Sequence, residues 1–235
     1  MAKKHDVRSM FDSIAWRYDF LNHLLSFGTD FLWRRRAIGE IGRRISPRLI
    51  LDVATGTCDL AIAALRLNPE KITGVDISQR MLEEGRKKIY RKRLQDKIEL
   101  VLGDSEELPF EDNSFDVTMV AFGVRNFETP GKGLAEMHRV LKPGGVIMVL
   151  EFSSPAKFPF RTIYGFYFRR VLPFFGRMFS RDRSAYDYLP ESVSRFPEGE
   201  EFLSLMRESG FLSLRSRLVT GGVATIYTGN KEAVQ

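Results

Sequence analysis

One pattern recurs through the middle of the chain: a short apolar run, a tight turn and a helical stretch. In its first instance an apolar run at residues 49–53 ends in turn residues 54–57 and continues into a helix-compatible stretch at 59–65. Further apolar runs span residues 71–75, 98–102, 115–122 and 146–152, and helices are predicted at 78–93 and 131–141. Alternation at this spacing indicates βαβ units, in which helices cover both faces of a parallel sheet. The sequence therefore predicts an α/β fold.

The two ends of the chain extend this core. Apolar residues from 7 to 25 recur every three or four positions, which predicts a helix with one buried face, and a second helix is predicted from 31 to 45. Near the C-terminus, residues 199–209 predict a helix, and residues 212–219 and 223–228 predict a hairpin. We expect seven strands in a mostly parallel sheet, with an antiparallel C-terminal edge strand.

Three acidic residues lie at the ends of three consecutive predicted strands. Asp52, Asp76 and Asp104 should therefore meet at the carboxyl edge of the sheet, where α/β folds bind ligands. The spacing of Asp52 and Asp76 is close to the ~20 residues at which an acid meets ribose hydroxyls in such folds. Three acids would repel a pyrophosphate. Of the G-x-G-x-x-G pattern that is typical of dinucleotide sites only Gly56 is present, which disfavours a dinucleotide. A neutral or cationic nucleoside is therefore favoured. Each acid has the alternative of a helix N-cap or turn former.

Composition excludes several classes of protein. Charged residues make up 28% of the 235 residues, and no apolar run reaches the ~20 residues of a membrane span. A single cysteine, Cys58, excludes an intramolecular disulfide, and three scattered histidines give no metal-ligand spacing, so we expect no metal site. Residues 1–6 lack the apolar core of a secretory signal, so we expect the protein to stay in the cytoplasm.

The net charge of +6 is concentrated in one segment. Residues 155–190 hold seven basic and two acidic residues, and 11 aromatic residues, a share far above the chain-wide 12%. We therefore predict one domain in four parts: a helical cap at 1–45, a cofactor-binding core at 46–154, an aromatic and basic lid insertion at 155–197, and a C-terminal helix and hairpin at 198–235.

Five successive motifs resemble those of class I S-adenosylmethionine-dependent methyltransferases. They are Leu-Asp-Val-Ala-Thr-Gly-Thr at 51–57, Gly-Val-Asp-Ile-Ser at 74–78 with Met81-Leu82, Gly-Asp-Ser at 103–105, Leu-Pro-Phe at 108–110 with Phe115-Asp116, and Arg-Val-Leu-Lys-Pro-Gly-Gly at 139–145. The resemblance covers roughly residues 45–230. It implies a Rossmann-like fold and S-adenosylmethionine as the cofactor.

Almost end to end, the chain also resembles the quinone-biosynthesis C-methyltransferases. These enzymes convert demethylmenaquinol to menaquinol or methylate the corresponding ubiquinone precursor. The resemblance implies a polyprenylated hydroquinol as substrate, with demethylmenaquinol preferred and the ubiquinone precursor left open. Residues 7–19, 122–126, 150–153, 188–192 with 196–197, and 220–224 carry this resemblance.

Two positions depart from the common pattern. Ala54 and Cys58 stand where glycines are frequent in these families. Both side chains are small, so close approach of the cofactor remains compatible, but we expect the turn at Cys58 to avoid a positive φ. Direct methyl transfer needs no covalent intermediate, so we interpret Cys58 as a packing residue rather than a nucleophile.

The family pattern implies a set of cofactor contacts at the strand ends. Asp76 and Asp104 agree with the argument from the predicted sheet. Asp52 and Gly56 would shape the pocket at the methionine end. The other implied contacts are Thr57, Ile77, Met81, Ser105 and Ala121.

Methylation of a ring carbon requires an activated hydroquinol. Loss of the ortho hydroxyl proton makes that carbon nucleophilic, and a nearby positive charge lowers the phenol pKa from its usual ~10. We assign this charge to Arg125, whose alternative is a structural salt bridge with an acid such as Glu151. Asn126 would orient a hydroxyl or a water, while Tyr18 and Asp19 would cover the pocket. Tyr18 also lies on the buried face of the first predicted helix, so packing is its alternative role. The proton acceptor stays open. The candidates are Asp19, His5 and a water that Arg125 polarises.

The insertion suggests a lipid surface as a partner. Residues 160–172 predict a helix that is apolar over most of its circumference and interrupted by arginines, which suits transient, salt-sensitive contact at the inner face of the membrane. A packed cap is the alternative, and a homodimer is left open.

The pI near 9.5 would also suit an RNA methyltransferase. The basic excess is confined to the insertion, however, so we expect no nucleic-acid partner. A non-catalytic cofactor-binding protein is the other alternative.

Overall fold

The computed structural model describes residues 4–26, 28–166, 170 and 191–233, and in it seven strands form a single sheet. The strands are β1 (Leu49–Val53), β2 (Lys71–Asp76), β3 (Ile98–Leu102), β4 (Phe115–Ala121), β5 (Leu141–Phe152), β6 (Leu212–Val219) and β7 (Ala224–Asn230). Their order across the sheet is β3-β2-β1-β4-β5-β7-β6, and β1 to β5 are mutually parallel. The predicted seven-stranded, mostly parallel α/β sheet is confirmed.

The antiparallel strand does not lie at the edge of the sheet, contrary to the prediction. The C-terminal strand β7 is antiparallel to both β5 and β6, so it lies between them and β6 forms the edge. Burial explains this order, because six of the seven residues of β7 are buried whereas β6 is largely exposed. The strand of the hairpin that carries no charged residue therefore takes the inner position, and β6, which carries Arg215 and Arg217, forms the edge.

Helices cover both faces of the sheet. They are α1 (Lys4–Leu25), α2 (Thr29–Gly42), α3 (Asp59–Ala64), α4 (Gln79–Lys92), α5 (Pro130–Val140), α6 (Phe160–Phe166) and α7 (Glu200–Glu208), and residues 191–195 are also helical. Buried apolar residues of α2 and α3, together with Ile89 of α4, belong to one hydrophobic cluster, and those of α5 and α7 belong to a second. The two clusters lie on opposite faces of the sheet, as predicted for βαβ units.

The junction between α5 and β5 differs from the prediction. The helix ends at Val140 and the strand begins at Leu141, whereas the sequence predicted a helix to Leu141 and a strand from residue 146. Leu141 is already extended, and it pairs with Phe115 while Val146 pairs with Val117. Residues 142–145 therefore form a bulge within the strand rather than a loop before it.

Most of the predicted lid insertion lies outside the described residues. Its described part contains α6, which is the first half of the helix predicted at 160–172. Within the described ranges, no helix combines the length and the apolarity needed to cross a bilayer.

Candidate functional site

A pocket with about 700 Å³ of empty space, part of it open to solvent, lies at the carboxyl ends of the first four strands. Each of these strands is followed by residues that line it, as expected for the ligand-binding edge of an open α/β sheet. The lining residues after the strands include Gly56, Asp76, Ile77, Asp104, Ser105, Glu106, Ala121 and Asn126, and Met81 of α4 also lines the pocket. The structure thus brings together most of the predicted cofactor contacts.

The turn after β1 leaves space for a ligand at Gly56. Gly56 has a φ of +54°, and a Cβ added there would meet nothing nearer than Tyr18 Cε1 at 4.0 Å. A side chain at this position would therefore occupy the pocket itself. The absence of one allows a ligand to approach the backbone closely.

The expectation that Cys58 avoids a positive φ is wrong. Its φ is +72°, because the chain reverses from β1 into α3 here and the Cys58 amide closes the turn by donating to Thr55 O at 2.9 Å. The left-handed conformation costs a non-glycine residue about 1–2 kcal/mol. Cys58 is fully buried and a Cβ added at Gly85 would lie 2.5 Å from its Sγ, so packing offsets the strain. Burial also raises the pKa of the thiol to about 12, which favours the interpretation as a packing residue.

Asp76 connects the end of β2 to the glycine turn, which is the turn after β1 at residues 54–57. Its Oδ2 accepts a hydrogen bond from the Gly56 amide at 2.8 Å, and its Oδ1 accepts one from the Ser78 amide at 2.8 Å. Burial raises the pKa of this carboxyl to about 6, although both amides favour the charged form. Each carboxylate oxygen retains a second lone pair, so Asp76 can still accept bonds from the hydroxyls of a ribose.

Asp104 is bound to the first turn of α1. Lys4 Nζ lies 2.7 Å from Asp104 Oδ2 and 3.1 Å from Glu106 Oε2, and the hydrogen bond to Asp104 raises the pKa of Lys4. Asp104 Oδ1 accepts from the Glu106 amide at 2.8 Å. The acid predicted to meet an adenine amino group therefore shares its carboxylate with a lysine.

Asp52 and Thr57 lie behind the pocket wall rather than in it. Asp52 is 1% exposed, and its Oδ2 accepts from the Thr55 hydroxyl at 2.6 Å. Burial raises the pKa of Asp52 to about 7, and its Oδ1 makes no hydrogen bond within the described part of the chain. The buried Thr57 hydroxyl donates to Asp19 Oδ1. Both residues can shape the glycine turn, and a direct contact with a ligand stays a prediction for each.

The predicted catalytic residues are divided between the pocket and its surroundings. Tyr18 and Asn126 line the pocket, whereas Asp19 and Arg125 are not among the lining residues. Arg125 Nη1 lies 2.7 Å from Glu151 Oε1 and also donates to the Phe122 carbonyl. The salt bridge left open by the sequence is therefore present. His5 is exposed and also does not line the pocket.

Sequence reasoning missed the wall that α1 contributes. Lys4, Val7 and Phe11 line the pocket together with Tyr18. Val7, Phe11 and Tyr18 belong to the apolar face predicted for this helix, but periodicity does not reveal what that face packs against. Phe122, Gly123 and Phe127 at the end of β4 were also missed as lining residues.

The lining residues fit a nucleoside with little negative charge. A pair of carboxylates, Asp76 and Asp104, can accept bonds from hydroxyl and amino groups, and the apolar Ile77, Met81 and Ala121 give a surface for a flat base. These acids would repel a pyrophosphate. The geometry thus agrees with the cofactor that the sequence motifs imply.

Comparisons with known proteins give a consistent result. The family model described as the ubiE/COQ5 methyltransferase family matches residues 1–231. The chain is 45% identical over 230 residues to the demethylmenaquinone methyltransferase of Bacteroides fragilis, covering 97% of this chain and 94% of that protein. It is 48% identical over 231 residues to the ubiquinone/menaquinone biosynthesis C-methyltransferase UbiE of Citrifermentans bemidjiense, covering 97% of each.

Solved structures agree on the fold. A SAM-dependent methyltransferase of Thermotoga maritima aligns with a TM-score of 0.65 and 22% identity over 95% of this chain and 99% of that chain. Phosphoethanolamine N-methyltransferase 2 of Haemonchus contortus, solved with S-adenosyl-L-methionine, aligns with a TM-score of 0.69 and 14% identity over 99% of this chain and 60% of that one. At these identities the likeness establishes the class I methyltransferase fold alone.

Proposed function

The chain belongs to the ubiE/COQ5 methyltransferase family and uses S-adenosylmethionine, and from this premise we propose that it methylates a ring carbon of demethylmenaquinol to give menaquinol. The observation that carries the proposal is near-full-length identity of 45% with relatives named demethylmenaquinone methyltransferase, from Bacteroides fragilis and Porphyromonas gingivalis. Methylation of the ubiquinone precursor is the second candidate, because other relatives at 48% identity are named for both quinones.

The pocket supports a binding mode for the cofactor. When bound, S-adenosylmethionine supplies a sulfonium methyl group for in-line transfer. In the proposed mode Asp76 accepts bonds from the ribose hydroxyls, and Asp104 accepts one from the adenine amino group. The open backbone at Gly56 receives the methionine end, with Thr57 and Asp52 behind it.

In our proposal Asn126 and Arg125 act on the hydroquinol. Asn126 lines the pocket beyond β4, and its Nδ2 donates to the Phe122 carbonyl at 3.3 Å, the same carbonyl that Arg125 Nη1 uses. In our proposal Asn126 orients the ring hydroxyl, and the guanidinium behind it favours the phenolate form. Arg125 Nε has no hydrogen-bond partner among the residues that the structure describes, so the guanidinium retains an unused donor.

A water is the favoured proton acceptor in this mechanism. Asp19 already accepts from the Thr57 hydroxyl and from Lys88 Nζ, the latter at 2.5 Å, and it is not among the residues that line the pocket. His5 is exposed and is not among the lining residues. A water between Asn126 and the guanidinium would avoid both difficulties.

An apolar, basic rim at the same edge of the sheet as the pocket supports contact with a lipid surface. A Cβ added at Gly221, in the turn between β6 and β7, would lie 2.2 Å from Phe160 Cδ2, so α6 packs on that turn at the carboxyl edge of the sheet. Near it, the exposed apolar residues are Phe158, Ile163, Phe166 and Leu218, and the exposed basic residues are Lys157 and Arg161. We propose that this rim meets the inner face of the membrane transiently, where a polyprenyl tail would leave the bilayer.

The direct test is an assay with both quinols. Purified protein, S-adenosylmethionine and short-tailed demethylmenaquinol are incubated under reducing conditions, and the product is analysed by mass spectrometry for one added methyl group on a ring carbon. A short-tailed ubiquinone precursor is run in parallel. Methylation of the precursor alone would overturn the choice of substrate. Tight cofactor binding without transfer to either quinol would favour the non-catalytic alternative.

A further inference from the structure

Helix α1 contacts the loops that follow three successive strands. Lys4 is paired with Asp104 after β3 at 2.7 Å, and the Ser78 hydroxyl after β2 donates to Asp12 Oδ1 at 2.5 Å. The Thr57 hydroxyl after β1 donates to Asp19 Oδ1. One helix therefore makes a polar contact with each of the three loops that carry the cofactor contacts.

The contact at the β1 end depends on a side chain from another helix. Lys88 of α4 places Nζ 2.5 Å from Asp19 Oδ2 and 2.6 Å from Asp59 Oδ1. The same Nζ donates to Thr57 Oγ1 at 3.3 Å. Lys88 thus joins α1, the glycine turn, α3 and α4 at a single atom.

This lysine does not belong to the pocket itself. Lys88 is not among the lining residues, and its side chain is 20% exposed. Its carboxylate partners Asp19 and Asp59 are 33% and 19% exposed, so the pairs are screened less than those on an open surface. Asp59 extends the network to Arg34 of α2, whose Nη2 lies 3.7 Å from Asp59 Oδ2. Arg34 pairs in turn with Asp30, so each of the two cations, Lys88 and Arg34, lies between two acids.

We infer that Lys88 is a positioning residue for the cofactor site, which holds α1 over the pocket through Asp19 and fixes the turn at Thr57 without touching the cofactor. One side of the pocket consists of α1 residues, so a cofactor held between that helix and the strand ends leaves more readily when α1 separates from them. Removal of the Lys88 contact therefore accelerates the dissociation of the cofactor product.

The chain offers a closely matched control. Lys87 is the next residue on α4, it is exposed, and it pairs within its own helix with Glu84 at 2.7 Å. Lys87→Ala therefore removes a lysine of equal charge whose ion pair lies within α4. Lys88→Arg keeps the cation and tests whether charge at this position restores the contact.

The test measures release of S-adenosylhomocysteine. The dissociation rate is followed by stopped-flow displacement, affinity by calorimetry, and opening of α1 by hydrogen exchange. For Lys88→Ala we expect dissociation about tenfold faster, weaker affinity and lower protection of α1, since about 1.4 kcal/mol of contact energy corresponds to tenfold. Lys88→Arg should recover most of this loss, and Lys87→Ala should match the wild type.

Two results would overturn the inference. One is a dissociation rate for Lys88→Ala equal to that of Lys87→Ala. The other is a loss of protection spread over the whole chain rather than concentrated in α1, which would indicate a general stabilising role. If Lys88→Ala does not fold, Asp19→Ala removes the same contact from the side of α1 while leaving the Lys88–Asp59 pair intact, and the same rate decides.

Discussion

Arg125 and Glu151 form a buried ion pair directly behind the pocket, with Nη1 and Oε1 2.7 Å apart. Glu151 is fully buried near the end of β5, and its Oε1 also accepts from the Phe152 amide at 2.9 Å. The Arg125 guanidinium lies 5.2 Å from the Phe152 ring centroid, so an aromatic face supports it as well. The carboxylate and the ring together fix where the positive charge lies relative to Asn126.

We predict that Arg125→Lys retains the fold and the affinity for S-adenosylmethionine but loses most methyl transfer. An ammonium on a flexible stem cannot reproduce the planar guanidinium that contacts both Glu151 and the Phe122 carbonyl behind Asn126. Raising the pH should partly restore the rate if phenolate formation is what the variant lost. Steady-state kinetics with calorimetry checks this, and Arg48→Lys, in an exposed pair with Glu70, is the control. A wild-type rate at neutral pH would remove Arg125 from the mechanism.

The acidic residues at the pocket could be predicted from the sequence, whereas the residues that pair with them could not. Asp76 and Asp104 could be predicted because each ends a strand, and parallel strands place their carboxyl ends along one edge. The pairing of Arg125 with Glu151 remained only an alternative, because it depends on β4 and β5 being neighbours. Lys4 is 100 residues from Asp104 in the chain, so no local pattern indicates that they meet.

Backbone conformation was less predictable than topology. Propensity argues against a positive φ at Cys58, yet the closed turn requires it and buried packing supplies the compensation. The order of β6 and β7 was similarly hidden, since both strands of a hairpin carry strand patterns and only their burial against β5 distinguishes them.

We predict that the affinity for S-adenosylmethionine falls as the pH drops below about 6, because burial raises the pKa of Asp76 to about 6 and a protonated carboxyl accepts ribose hydroxyls poorly. Asp76→Asn should bind more than tenfold more weakly and lose this pH dependence. Calorimetry between pH 5 and 8 checks both. Asp116→Asn, at the opposite end of the sheet, is the control, because its hydrogen bonds to Lys142 and to two backbone amides lower the pKa of that carboxyl.

Protonation of Asp76 does not itself destabilise the folded chain. A carboxyl whose pKa is about 6 in the folded chain and 3.8 in its ordinary state binds protons more tightly when folded, so its contribution to stability increases as the pH falls from about 6 to about 4. Loss of affinity over that range without a fall in the melting temperature would therefore report weaker binding rather than unfolding. A pH-independent affinity for the wild type would exclude Asp76 from the ribose contact.

We predict that Cys58 is not alkylated in the native protein at pH 8. The thiol is fully buried and burial raises its pKa to about 12, so almost none of it is thiolate. Iodoacetamide labelling followed by intact-mass measurement should give no addition to the folded chain and one after denaturation, because Cys58 is the single cysteine. Rapid native labelling would revive the interpretation of Cys58 as a nucleophile.

We predict that the rim formed by α6 and the β6–β7 turn binds anionic vesicles reversibly. Basic residues near a lipid surface contribute ~1 kcal/mol each and are screened by salt, so flotation with phosphatidylglycerol vesicles should exceed flotation with neutral vesicles and decrease as salt is added. Ile163→Ser combined with Leu218→Ser should reduce binding, because both side chains are exposed on this rim. Leu212→Ser is the matched control, since Leu212 is an exposed leucine at the opposite end of the same strand as Leu218. Absence of binding to either vesicle, together with full activity on a short-tailed quinol without detergent, would make this segment a packed cap.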